Sequence, residues 1–135
     1  MVEQRDPRLV HIAELFFEYE DRRDYAWTKY FGDERSAGYL RYQKLIHNLF
    51  ISGKPLSKME AAALFATSEA SAIKHLDTAQ KRGWIRYSPD RSDRRKVNVI
   101  ATFALVQLTE AYLTELVALQ ENVKIKIQEL EAPLS

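Results

Sequence analysis

The chain has 135 residues, 46% of them hydrophobic, and a formal net charge of +1. That allows one domain with its own core and excludes a disordered tail. No apolar run approaches the roughly 18 residues of a membrane span, and Glu3, Arg5, Asp6 and Arg8 interrupt any signal-peptide pattern. The lack of cysteine excludes disulfides, thiolate metal sites and cysteine redox sensing, and a cytoplasmic location is the simplest expectation.

The charge is unevenly spread. Residues 1–36 and 97–135 each carry net −3, residues 37–73 net +2 and residues 74–96 net +5. A cationic segment between acidic ends attracts a phosphate backbone and orients the remainder away from it.

Asp6-Pro7 reads as a helix start, with Asp6 as N-cap and Pro7 in the first turn. Leu9, Ile12, Phe16 and Tyr19 then recur at helical spacing, and Gly32-Asp33 ends or breaks this first long helix. Ser36 is placed to cap a second helix, with Tyr39, Tyr42, Leu45, Ile46, Leu49 and Phe50 on its buried face. Gly53-Lys54-Pro55 stops it.

Ser57-Lys58-Met59-Glu60 matches a capping box ahead of a short, alanine-rich helix that runs to about Phe65. Thr67-Ser68 caps the next helix, which runs to Arg82 with Ala72, Leu76 and Ala79 inward. Gly83 supplies the left-handed residue that ends it. Trp84–Tyr87 and Val97–Thr102 read as two strands joined by the polar tip Asp90-Arg91-Ser92-Asp93-Arg94-Arg95-Lys96. From Phe103 to Glu131, leucines and other apolar residues follow steps of three and four. Such a helix is about 40 Å long, more than a small domain covers, so its stripe is expected to meet a partner chain.

Helix, turn, helix and hairpin in succession predict a mainly α fold: a winged helix-turn-helix with a two-stranded β wing and long terminal dimerisation helices. The expected organisation is a single domain over 1–135. Within it, 7–35 and 103–131 are dimerisation helices and 36–102 is a DNA-binding core. In a helix-turn-helix the second helix enters the major groove. Here it would present Ser68, Glu69, Ser71, Lys74, His75 and Thr78 outward, with Ser71, Lys74 and His75 reaching base edges or phosphates. Taken singly, each is equally an ordinary solvated helix residue. The hairpin supplies Arg91, Arg94, Arg95 and Lys96, and an arginine at such a tip can enter a narrow minor groove. Asp93 is read as stabilising the wing by pairing with a neighbouring arginine. Arg94 is assigned to DNA and Arg95 to Asp93, with the reverse assignment open.

The stretch Leu56-Ser57 … Ala62 … Ser68 … Leu76 … Gly83-Trp84-Ile85 … Asp90 … Asp93-Arg94-Arg95 … Val97 … Val99 resembles the multiple-antibiotic-resistance regulator (MarR-like) family over roughly the middle third of the chain. Its most specific element is the Asp-Arg-Arg wing after the Gly-Trp-Ile strand start. The resemblance implies a homodimer joined through the terminal helices and bound to a pseudo-palindromic operator. It also implies room for a small aromatic effector that releases the DNA. Two departures stand out. The family commonly has Leu-Thr-x-x-Gly after the second wing strand, where this chain has Ala101-Thr102-Phe103-Ala104-Leu105. Ile73 stands where a small polar residue is common, and it can touch a thymine methyl or pack inside.

No enzyme is expected. His11, His47 and His75 fall on separate predicted helices without metal-ligand spacing. No phosphate loop, nucleophile elbow or distinct carboxylate pair is present, so no metal or cofactor is expected. The aromatics between Phe16 and Tyr42 can line a ligand pocket but read more readily as packing. The competing reading is a winged-helix protein–protein interaction module without specific DNA binding.

Overall fold

The computed structural model describes residues 4–33 and 40–131. They form two compact units, one drawn from residues up to Gly32 and from Ala111 onward, the other spanning Asp33–Glu110.

The first unit contains α1 (Pro7–Phe31) and most of α5 (Phe103–Glu131). The start of α1 follows its sequence signals: the Asp6 carboxylate accepts the Arg8 N–H at 2.9 Å, with proline at the start of the helix. Gly32 closes the helix at φ 62°, a left-handed conformation that glycine adopts without strain. The helix therefore stops at Phe31, at the Gly32-Asp33 break read from the sequence, and residues 34 and 35 of the expected 7–35 segment lie outside the described residues. Three contacts set α1 and α5 antiparallel: Arg8 with Glu131 at 2.6 Å, Tyr19 with Gln120 at 3.1 Å and Lys29 with Glu115 at 3.4 Å. Between the helices, Trp27 is buried against Phe31 (ring centroids 4.3 Å) and edge-on to Tyr112 (5.1 Å). Leu9, Phe16, Phe17, Val117 and Ile125 remain exposed on this unit.

The second unit contains α2 (Gln43–Ser52), β1 (Leu56–Ser57), α3 (Lys58–Ala63), α4 (Glu69–Lys81), β2 (Ile85–Pro89), β3 (Val97–Ala101) and the first turns of α5. The second helix begins later than its periodicity suggests. The proposed Ser36 cap and Tyr39 lie outside the described residues, and Tyr42 precedes the helix with φ −98° and ψ 0°. The cause is a buried acceptor: the Asp33 carboxylate takes the Tyr42 N–H at 2.9 Å and holds that residue at the helix entrance. Ser57 accepts the Glu60 N–H at 3.1 Å and Ser68 the Ser71 N–H at 3.3 Å, so both predicted caps form.

The sheet has three strands in the order β1-β3-β2, all antiparallel, one more than the two-stranded wing expected. The extra strand is two residues long, too short to show alternation. It exists because Leu56 and Ser57 lie opposite Val99 and Asn98. Ala72, Leu76 and Ala79 of α4 are buried, as are Ile46, Ile85 and Val99. Ala61 and Ala62 of α3 and Ala72 and Ala79 of α4 are buried where the two helices meet, and their small side chains let them pack closely. Thr102 joins the last strand to α5. Its hydroxyl accepts the Leu105 N–H at 3.2 Å and lies against the carbonyls of Gly83 and Trp84, while its N–H donates to Trp84 O at 2.9 Å. A threonine N-cap thus makes this junction.

Candidate nucleic-acid interface

Within the second unit, the buried stripe of α4 turns its opposite side to solvent. Ala70, Lys74 and Lys81 are exposed there, and Ser71, Ile73, His75 and Thr78 are half-buried on the flanks. The predicted positions do not all have free polar groups. Ser68 and Ser71 hydroxyls lie 3.1 Å apart at the helix start, and Thr78 donates its hydroxyl back to Lys74 O at 3.0 Å. His75 lies against Phe65 (5.3 Å) and edge-on to Tyr42 (6.2 Å). Burial, and then the nearby Arg41 guanidinium, push its pKa below the usual histidine value. A neutral ring on two aromatics is a packing element with one edge to solvent. Lys74 is the exposed cation of the predicted set on this helix.

The wing tip is shaped by carboxylates that accept from its own backbone. One Asp90 oxygen takes the Ser92 N–H at 2.8 Å, the Ser92 hydroxyl at 2.7 Å and the Asp93 N–H at 3.3 Å; the other takes the Asn98 amide at 3.4 Å. These bonds, the Ser92 hydroxyl first and its amide next, pull the Asp90 pKa down to about 2. Asp90 N–H donates to Lys96 O at 2.9 Å and Lys96 N–H to Asp93 O at 3.0 Å, closing the loop. Asp93 accepts the Arg95 N–H at 3.0 Å, and the Arg95 Nε lies 3.9 Å from the same carboxylate. The Arg95 side chain is 97% exposed, and an exposed pair at that distance contributes about 0–1 kcal/mol. The backbone bonds therefore set the tip, and the ion pair adds little. Arg91, Arg94 and Lys96 are exposed and form no ion pair among the described residues.

Four residues outside the predicted set organise this surface: Lys58, Asp77, Tyr87 and Asp90. The Tyr87 hydroxyl of β2 donates to the Asp77 carboxylate of α4 at 3.1 Å, and the Lys58 ammonium of α3 sits 4.9 Å from the Tyr87 ring centre. One side chain thus links both helices of the helix-turn-helix to the wing. Burial, then the bond to Asp77, raise the Tyr87 pKa to about 12. The sequence holds a signal for this: Tyr87 follows the apolar Ile85 by two residues and hence lies on the same face of the strand. The Asp77 partnership depends on helix placement and has no sequence mark. Of the aromatics considered as pocket walls, Trp27, Phe31 and Tyr42 are buried in ring–ring packing. Phe16 and Tyr19 line an open groove of ≈ 360 Å³ with Gln120, Val123 and Ile127.

No protein-family model and no curated protein matches the sequence. Solved structures do match. An S. aureus MepR mutant bound to an oligodeoxyribonucleotide superposes with a TM-score of 0.65 at 13% identity, over 88% of this chain and 83% of that one. The transcriptional regulator Tm0710 from Thermotoga maritima gives 0.60 at 16%, over 96% and 83%. The heme sensor protein PefR from Streptococcus agalactiae, in complex with heme, gives 0.50 at 22%, over 84% and 77%. Likeness at such low identity speaks to the fold alone, and it agrees with the element order and the three-stranded sheet: the chain has a mainly helical winged helix-turn-helix fold shared with MepR and Tm0710.

Proposed function

We propose that the protein is a transcription regulator that binds duplex DNA in a sequence-specific way, as a homodimer on a pseudo-palindromic operator. The observation that carries this reading is the Asp77–Tyr87 bond. It ties α4 to the arginine-bearing wing within one unit, which supports a reading in which the helix enters a groove and the hairpin meets the backbone or minor groove. In this reading Ser68, Ser71, Lys74, His75 and Thr78 line the major-groove side, with His75 acting through its exposed edge. Arg91, Arg94, Arg95 and Lys96 serve the wing, and Asp93 stabilises it. The DNA-bound MepR mutant of the same fold lends support.

Homodimerisation is inferred from the first unit. Its exposed Leu9, Phe16, Phe17, Val117 and Ile125 form more apolar surface than two helices need for each other, and a second copy would cover it. A small aromatic effector is also part of the proposal, by resemblance to the family.

The test is binding of a labelled random-sequence duplex over a range of salt, followed by selection of preferred sites. A steep linear fall of log affinity with log salt is expected. Arg94→Ala should weaken operator binding by about 1–3 kcal/mol and lower the salt slope by about one. Absence of duplex binding at low salt would refute the reading and favour a protein-interaction module. Unchanged affinity in Arg94→Ala would refute the wing assignment alone. Sedimentation equilibrium should return the mass of two chains.

A further inference from the structure

The first turns of α4 carry an apolar edge that the core does not use. Ala70 is exposed and Ile73 half-buried, and residues three apart on a helix are surface neighbours. Ile73 opens onto a hollow of ≈ 520 Å³ whose walls include Met59, Ala63 and Phe65. Met59 is 79% exposed. Charge borders this edge. Lys58 and Glu69 line the same hollow, Glu69 in the first turn of α4 where the helix end favours an acid. Lys74, next along the helix, is exposed.

Apolar side chains bordered by Lys58 and Lys74, with Glu69 as the one acid at the hollow and the wing arginines in the same unit, suit a surface that is itself anionic at its margins and locally apolar. Duplex DNA has that pattern. Phosphates flank a major groove whose base edges are polar donors and acceptors, except for one apolar group, the C5-methyl of thymine. We propose that Ala70 and Ile73, with Met59 at the margin, read thymine methyl groups in the major groove. The operator half-site then carries thymine at fixed positions where the methyl group, and not a hydrogen bond from Ser71 or Lys74, distinguishes the base. This rests on the duplex-DNA reading above and assigns part of its specificity to van der Waals contact.

The test changes the DNA and leaves the protein intact. Sites selected from a randomised duplex pool are resynthesised with uracil replacing thymine one position at a time, which removes only the methyl. Wild-type protein should lose about fourfold in affinity at one or two positions per half-site, the factor equivalent to the ~0.8 kcal/mol of one buried methyl-sized group. The salt slope should not change. Ile73→Ser should abolish the thymine–uracil difference at one of these positions, and the wild-type series decides the matter if that variant fails to fold. Salt-dependent binding that is indifferent to uracil at every position would overturn this inference and leave the DNA-binding reading standing, with the hollow left to packing or a small ligand. Absence of salt-dependent duplex binding would overturn both.

Discussion

Replacing Tyr87 by phenylalanine tests the joint between α4 and the wing. The substitution removes one hydroxyl and keeps the ring, so the inner-face packing of the strand and the Lys58 ammonium 4.9 Å from the ring centre are retained. What is lost is one hydrogen bond to the Asp77 carboxylate, 3.1 Å long. Bonds to charged acceptors contribute about 1.5–3 kcal/mol, but short ones of this type measure ~2.5–2.7 Å. The observed length, and a half-buried Asp77 that water can reach, place the cost at the low end, about 1.5 kcal/mol. The pH dependence adds a second signature. A phenol raised from 10.0 to about 12 in the folded state stabilises the fold fully below pH 10 and loses that contribution as pH rises through about 12. The stability difference between wild type and Tyr87→Phe should therefore be constant from about pH 7 to 9 and shrink between pH 10 and about 12. Urea denaturation followed by far-UV circular dichroism at a series of pH values measures both. Equal stability of the two proteins at neutral pH, or a difference that persists unchanged at about pH 12, would refute the assignment of the joint to this bond.

Asp90→Ala should loosen the wing tip, seen as faster amide exchange at Ser92 and Asp93 with the core amides unaffected. In the wild type, the Asp90 carboxyl should titrate by NMR near pH 2; its contribution is present above the ordinary 3.8 and fades as pH falls toward 2, and a midpoint at 3.8 would count against the turn. Thr102→Val keeps the shape of the side chain but removes the acceptor for Leu105 N–H, so chemical denaturation should report a loss of about 1–2 kcal/mol. Trp27→Ala empties the aromatic cluster formed with Phe31 and Tyr112, with an expected cost of about 3–5 kcal/mol in thermal or urea unfolding; a loss below about 1 kcal/mol would show that the cluster is not the core of its unit.

Much of the architecture was legible in the chain because its signals are local. Asp6-Pro7, Ser57, Ser68 and the glycines at 32, 53 and 83 act within a turn of themselves, and they mark helix ends where the structure has them. The last helix spans Phe103–Glu131, as its apolar stepping indicates. The unread parts depend on distant partners. Asp33 delays α2 by accepting a buried N–H nine residues on, and Leu56-Ser57 become a strand only because Val99 and Asn98 lie alongside. At the candidate interface, the sequence by itself determined which cations are available and that they cluster between residues 74 and 96, since composition and local turns need no fold. Only the tertiary structure decided what His75 rests against and that Tyr87 ties the wing to α4 through Asp77. Those contacts join side chains on different elements, and their geometry follows from the packing of helices and sheet, which no short stretch of sequence encodes.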